Sequence, residues 1–174
     1  MGELLGEFLD FGTFSSFWYW LFLALAWSSR THWTIGIPFD SVARAEKRGG
    51  RWAEDVDRIA AAMGARFASF GGRGGVWIAG IVTFLLSGLM TAAFLYNNEL
   101  SRGILAIALP MIVAEIGDIR LALKVERTGL SGHDLRRALV WRRFLNQVTG
   151  LGSLVLASAL AILTILQRES LVGW

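Results

Sequence analysis

The order of apolar and polar positions divides the chain into four long apolar runs separated by two segments rich in charge. A spanning helix needs roughly 20 predominantly apolar residues, each rising about 1.5 Å, to cross about 30 Å of hydrocarbon. Val76 to Tyr96 offers 21 residues without a charge, and Phe144 to Leu166 offers 23 in which Asn146 and Gln147 are the only strongly polar interruptions. Phe14 to Trp33 is apolar for most of its length, with Phe17, Trp18, Tyr19 and Trp20 at one end and Arg30, His32 and Trp33 at the other, where interfacial anchors belong. Gly103 to about Leu123 is the least regular run. Pro110 interrupts its apolar first part, and Glu115, Asp118 and Arg120 follow. The pattern predicts an all-α polytopic membrane protein, one membrane domain over 1–174. Its four transmembrane helices fall at about 14–33, 76–96, 103–123 and 144–166, with cytoplasmic loops at about 34–75 and 124–143.

The two charged segments carry helical signals of their own. Pro38, Phe39 and Asp40, with Asp40 as N-cap, predict a helix that Gly49 and Gly50 end. From Trp52 to Phe70, the residues Val56, Ile59, Met63, Phe67 and Phe70 recur at spacings of three and four and share one helical face, away from Glu54, Asp55, Asp57 and Arg58. This amphipathic cytoplasmic helix is expected to lie in the headgroup region or on a partner, although its polar face mixes acid with base, unlike that of a dedicated surface helix. The Gly-Gly-Arg-Gly-Gly run from Gly71 to Gly75 lacks the Lys-Ser/Thr and the preceding strand of a phosphate loop, so it reads as a flexible hinge. In the second loop Ser131 is expected to cap a short helix leading into the last span. The pairs Arg136, Arg137 and Arg142, Arg143 suit anionic lipid headgroups, which attract each near-surface Arg by about 1 kcal/mol.

Composition agrees with a lipid-solvated chain: 54% of residues are hydrophobic and 18% charged, where soluble proteins average about 25% charged. Of 17 basic residues, none precedes Phe14, eight lie from Arg30 to Gly75, one is Arg102, seven lie from Arg120 to Arg143, and one is Arg168. Both large loops should therefore stay in the cytoplasm and both termini face the periplasm. The acidic start, with Glu3, Glu7 and Asp10, is no signal-peptide n-region, so the first span is expected to remain. The net charge of +3 forms no stripe interleaved with stacking aromatics, so no nucleic-acid partner is expected. Zero cysteine excludes disulfides, thiolate metal centres and a cysteine nucleophile. Only Lys47 and Lys124 are Lys, and the Arg, Ala and Gly bias is that of a GC-rich bacterial genome.

Depth places candidate chemistry in the inner leaflet. If the third span leaves the hydrocarbon near Leu123, Glu115 lies roughly 12 Å inside and Asp118 roughly 7 Å. Three apart, they share a face that should turn inward, because a lipid-exposed carboxylate costs several kcal/mol. Arg30, preceded by Ser28 and Ser29, and Asn146 and Gln147 reach comparable depth, with Arg142 and Arg143 at the mouth of the last span. This layer of Arg30, Glu115, Asp118, Asn146 and Gln147 supports two readings. In one, Glu115 carries a proton or cation, since two carboxylates in a dry site do not both ionise cheaply. In the other, the acids pair with Arg30, Arg120 or Arg142 and hold four helices in register. Small residues supply packing faces: Thr149, Ser153, Ala157 and Ala161 in the last span, and Ser87 with Thr91 and Gly88 with Ala92 in the second. These stripes either seal the monomer or dock another membrane subunit. His32 and His133 fall at cytoplasmic ends outside any binding motif, so neither haem nor metal, and no other cofactor, is expected.

Phe17-Trp18-Tyr19-Trp20, Leu25-Ala26-Trp27-Ser28-Ser29, His32-Trp33, Gly36, Pro38, Asp40 and Arg44 resemble small multi-span inner-membrane proteins of Rhodobacter-type alphaproteobacteria, usually labelled component of the Suf iron–sulfur assembly complex. The resemblance covers about 30 residues in its specific part and implies a bacterial inner-membrane address and an accessory role. Lacking cysteine, the chain at most docks soluble assembly factors. The leading expectation is thus a non-enzymatic accessory or assembly subunit in contact with membrane lipids and other membrane-protein subunits. The rival is a small proton- or ion-coupled carrier using Glu115 and Asp118. A membrane enzyme ranks third, for want of a nucleophile and base pair, a phosphate cradle or a metal motif.

Overall fold

The apolar runs are helical in the computed structural model, which describes residues 12–70 and 73–172. A 3₁₀ turn at Thr13–Ser15 leads into α1 (Phe17–His32). A hairpin, β1 (Trp33–Thr34) paired antiparallel with β2 (Ile37–Pro38), turns the chain into α2 (Phe39–Arg48) and α3 (Gly50–Phe70). Then come α4 (Arg73–Phe94), α5 (Glu99–Thr128) and α6 (Gly132–Val172). The described residues are all-α apart from this hairpin.

Two helices are long and apolar enough to cross a bilayer: α4 over Gly74–Phe94, and α6 over Gly132–Glu169. By that measure two of the four expected spans qualify. The 16 residues of α1 reach only about 24 Å. The 30 residues of α5 are long enough, but charges at both ends and in the middle lower its hydropathy.

Several boundaries differ from the sequence expectation, each for a local reason. The N-cap of α2 is Pro38, whose φ of −65° and extended ψ end the hairpin, so Asp40 sits in the first turn, where a carboxylate favours the helix dipole. Gly49, at φ +58°, ends α2 as expected. Arg73 and the glycines after it belong to α4, while Gly71 and Gly72, the first half of the expected hinge, lie outside the described residues. The expected short helix and last span are one continuous α6. Its first amide, Gly132 N–H, donates to both oxygens of Asp57 at 3.0 and 3.1 Å, so a carboxylate from α3 meets the helix start at which Ser131 was expected to act.

The amphipathic face of α3, expected to meet headgroups or a partner, packs in large part on the chain itself. Val56 and Ala60 are buried with Ile35, Ile37, Val42, Ala122, Val125, Leu135 and Leu139, and Phe67 packs against them. Full burial of an aliphatic side chain contributes about 1.5–3 kcal/mol, enough to hold α3 down. Contact with α5 is close because Gly64 has no side chain: a Cβ there would lie 3.0 Å from the Ala122 carbonyl oxygen. Ile59 stays at the exposed margin of the face, and the Phe70 side chain lies outside the described residues.

A second core joins α1, α5 and α6 through Leu23, Trp27, Ala106, Ala114, Ala157 and Leu160. Pro110 sits in the middle of α5 and lacks an N–H, so the Ala106 carbonyl one turn earlier loses its helical donor. Ser153 of α6 replaces that donor: its Oγ donates to Ala106 O at 2.7 Å in a fully buried position. The stripe Thr149, Ser153, Ala157 and Ala161 thus closes α6 onto the bundle, with Ser153 and Ala157 wholly buried and the other two partly so.

Candidate functional site

Between the two cores lies a cluster of charge. Asp118 is 2% exposed, and four donors reach its two oxygens. Arg30 Nη1 from the last turn of α1 lies 2.8 Å from Oδ2, and the Ile35 N–H at the hairpin tip donates to the same oxygen at 3.4 Å. Arg142 Nε from α6 donates to Oδ1 at 2.7 Å, and Asn146 Nδ2, one turn further along α6, at 3.5 Å. A carboxylate has about four lone-pair sites, so Asp118 is saturated. Glu115 lies one turn earlier on α5, half-exposed, with Oε2 3.2 Å from Arg30 Nη2. Two guanidiniums and two carboxylates form a neutral quartet that ties α1, the hairpin, α5 and α6 together.

Local geometry serves this cluster. The hairpin turns through Ile35 and Gly36, with φ of +45° and +78°, a combination that fits a tight two-residue turn but is strained for a β-branched residue. Burial of the Ile35 side chain and the bond from its N–H to Asp118 offset that strain. Arg142 lies over Gly117, where a Cβ would sit 2.2 Å from the guanidinium carbon, and also donates through Nη2 to the Ala114 carbonyl. A side chain at residue 117 therefore displaces Arg142 from Asp118.

The sequence-derived layer is brought together in part. Arg30, Glu115, Asp118 and Asn146 meet, and Arg142, named only as a possible partner, completes the quartet. Gln147 does not join it: adjacent residues on a helix point about 100° apart, and Gln147 is exposed on α6 while Asn146 is buried. Arg120 is also exposed. Ser28 and Ser29 line a polar groove with His32 and Arg143, while His133 lines a different groove, so the two histidines are not brought together.

A second polar cluster, at the opposite end of α5, escaped the sequence reading. Arg102 is 1% exposed and donates to Ala93 O at 2.9 Å, Thr164 Oγ1 at 2.9 Å and Asn97 Oδ1 at 2.6 Å. Glu99 accepts from Phe14 N–H at 2.9 Å and from Arg168 Nη2 at 2.6 Å. The signal was the polar run from Asn97 to Arg102, which resembles an ordinary loop. Asn98 caps α5 by accepting from Ser101 N–H at 2.8 Å, and its neighbours latch α4, α5, α6 and the 3₁₀ turn at Phe14.

The small-residue positions of α4 behave unlike those of α6. Ser87, Gly88 and Thr91 are exposed, Ala92 is partly buried, and the buried side of α4 is the opposite one, centred on Ala93. A Cβ added at Gly80 or Gly88 would meet nothing within 4 Å. The Ser87 and Thr91 hydroxyls donate back to Thr83 O and Ser87 O at 2.9 Å.

No family model, curated protein or solved structure matches this chain.

Proposed function

We propose that the protein is a non-enzymatic accessory subunit of the bacterial inner membrane that docks on a larger membrane complex through the outer face of α4. The observation that carries this reading is the contrast between two small-residue stripes: α6 spends its stripe on its own bundle, whereas Gly80, Ser87, Gly88 and Thr91 look outward with nothing against them. In lipid, helices associate where small residues let backbones approach, so an unused stripe is a docking face.

The reading includes four spans, with α1 and α5 joining α4 and α6, both basic loops cytoplasmic and both termini periplasmic. Exposed apolar residues support it on α1 (Phe22, Leu25) and α5 (Ile104, Val113, Ile116), as on α4 and α6. Two of the charges that depress the hydropathy of α5 support it too, because Arg102 and Asp118 are buried and partnered within the bundle, whereas Glu115 and Arg120 stay exposed. A chain without cysteine ligates no iron–sulfur cluster by thiolate, so beside such a machinery its part is that of a membrane dock.

Gentle detergent extraction and intact-mass measurement test the docking. Wild type is expected to emerge within a larger assembly. Gly88→Leu is expected to emerge alone with unchanged melting, because residue 88 touches nothing in the chain. Wild type emerging alone contradicts the proposal.

A second reading, a proton- or ion-coupled carrier at Glu115 and Asp118, draws support from three buried atoms around the α1–α6 seam that lack a partner among the described residues: Trp27 Nε1, Arg30 Nε and Asn146 Oδ1. Under it, Glu115→Gln abolishes flux in liposomes without unfolding the chain.

A further inference from the structure

We infer that the groove between α2 and the start of α6 binds the headgroup of an anionic phospholipid of the cytoplasmic leaflet. The groove holds about 430 Å³ and is lined by apolar Phe39, Val42 and Val140 and by basic Lys47, Arg136 and Arg137, of which Lys47 and Arg137 are exposed at its rim. Arg136 is already held by Glu46, its Nε 2.6 Å from Oε2. That hydrogen bond keeps the Glu46 carboxyl below its usual range, so the pair stays ionised and fixes the rim. Lys47 and Arg137, without an ion pair among the described residues, are the cations left to meet a ligand.

The shape of the site selects the class of ligand. A soluble polyanion needs cations and gains nothing from an apolar lining, whereas a phospholipid carries both a phosphate and an acyl chain. Val140 begins a stripe of exposed apolar residues on one face of α6, continued by Phe144, Val148 and Leu151 at spacings of four and three. An acyl chain anchored at the rim follows this stripe into the hydrocarbon. Arg137 precedes Phe144 by about 10 Å along the helix, within reach of a headgroup for a side chain of that length. Charge complementarity supplies the attraction, as in basic pockets at the cytoplasmic ends of other spanning helices.

The inference rests on the orientation proposed above only for the leaflet; the groove itself is read in detergent. The full chain is purified in a neutral detergent and mixed with phosphatidylglycerol or phosphatidylcholine, and bound lipid is counted by native mass spectrometry. Wild type is expected to retain one phosphatidylglycerol in preference to phosphatidylcholine. Lys47→Gln with Arg137→Gln is expected to weaken that binding about 30-fold at unchanged melting temperature, and Arg137→Gln alone about fivefold. Arg137→Lys is expected to keep most of it. Equal retention of the two lipids, or a charge-neutralised variant that binds like wild type, overturns the proposal. So does displacement of the lipid by inorganic phosphate at equal concentration, which would assign the rim to a free anion. If selectivity holds in detergent but side-specific labelling places α2 outside the cell, the groove stands and the orientation falls.

Discussion

Replacing Asp118 by Asn is expected to destabilise the folded protein by about 3–5 kcal/mol, because it leaves two guanidiniums facing each other without their shared anion. The side chains of Arg30 and Arg142 are 15% and 11% exposed, so water relieves little of that repulsion. The hairpin tip loses its acceptor as well, since the Ile35 N–H donates to the same carboxylate. The measurement is a denaturation series in detergent on purified variants. Glu115→Gln is the control: its side chain is 52% exposed and pairs with Arg30 alone, so its loss is expected to cost under about 1 kcal/mol. Combining Asp118→Asn with Arg142→Gln should recover part of the loss, because Arg142, whose carboxylate partner is Asp118, is the charge left stranded, while Arg30 keeps Glu115. Equal effects of the two acid substitutions would remove Asp118 from its position as the tie between α1, the hairpin and α6.

How far this site could be read from the chain depended on which property carried it. Spacing placed Glu115 and Asp118 on one face, and hydropathy set Arg30 and Asn146 at matching depth, and these four meet. Depth says nothing about rotation about a helix axis. Asn146 and Gln147 have the same depth and point in different directions, and only the packing of α6 on α5 decides that Asn146 faces Asp118. A signal for Arg142 was present, since it lies one turn before Asn146 on the same face. Arg102 lay hidden because a charge at the end of an apolar run reads as solvated, and its burial follows from the turn at Asn97 folding back over it. For α3 the periodicity gave the apolar face but not its cover, which comes from α2 and the hairpin just before it and from α5 and the first turns of α6, remote in the sequence.

The second large effect is expected at Ser153. Its replacement by Ala strands the buried Ala106 carbonyl, which Pro110 already deprives of its helical donor, at a cost of about 1–3 kcal/mol. The cause can be isolated by a double-mutant cycle. In a Pro110→Ala background the new N–H at residue 110 supplies the missing donor, so Ser153→Ala should there cost only a few tenths of a kcal/mol. The coupling between two positions on different helices then measures the bond from Ser153 to Ala106. Additive costs would show that Ser153 stabilises the bundle through its small size alone, like Ala157 one turn later.

Everything in the proposed assembly presupposes four crossings that leave residues 34–75 and 124–143 in the cytoplasm. Because the chain has no cysteine, single cysteines placed by substitution report side directly. In intact cells an impermeant maleimide is expected to label Tyr96→Cys, at an exposed position between α4 and α5, and to leave Asp55→Cys and Asp134→Cys untouched until the membrane is opened. Labelling of Asp55→Cys and Asp134→Cys from opposite sides, or recovery of the chain in the high-speed supernatant, contradicts the account.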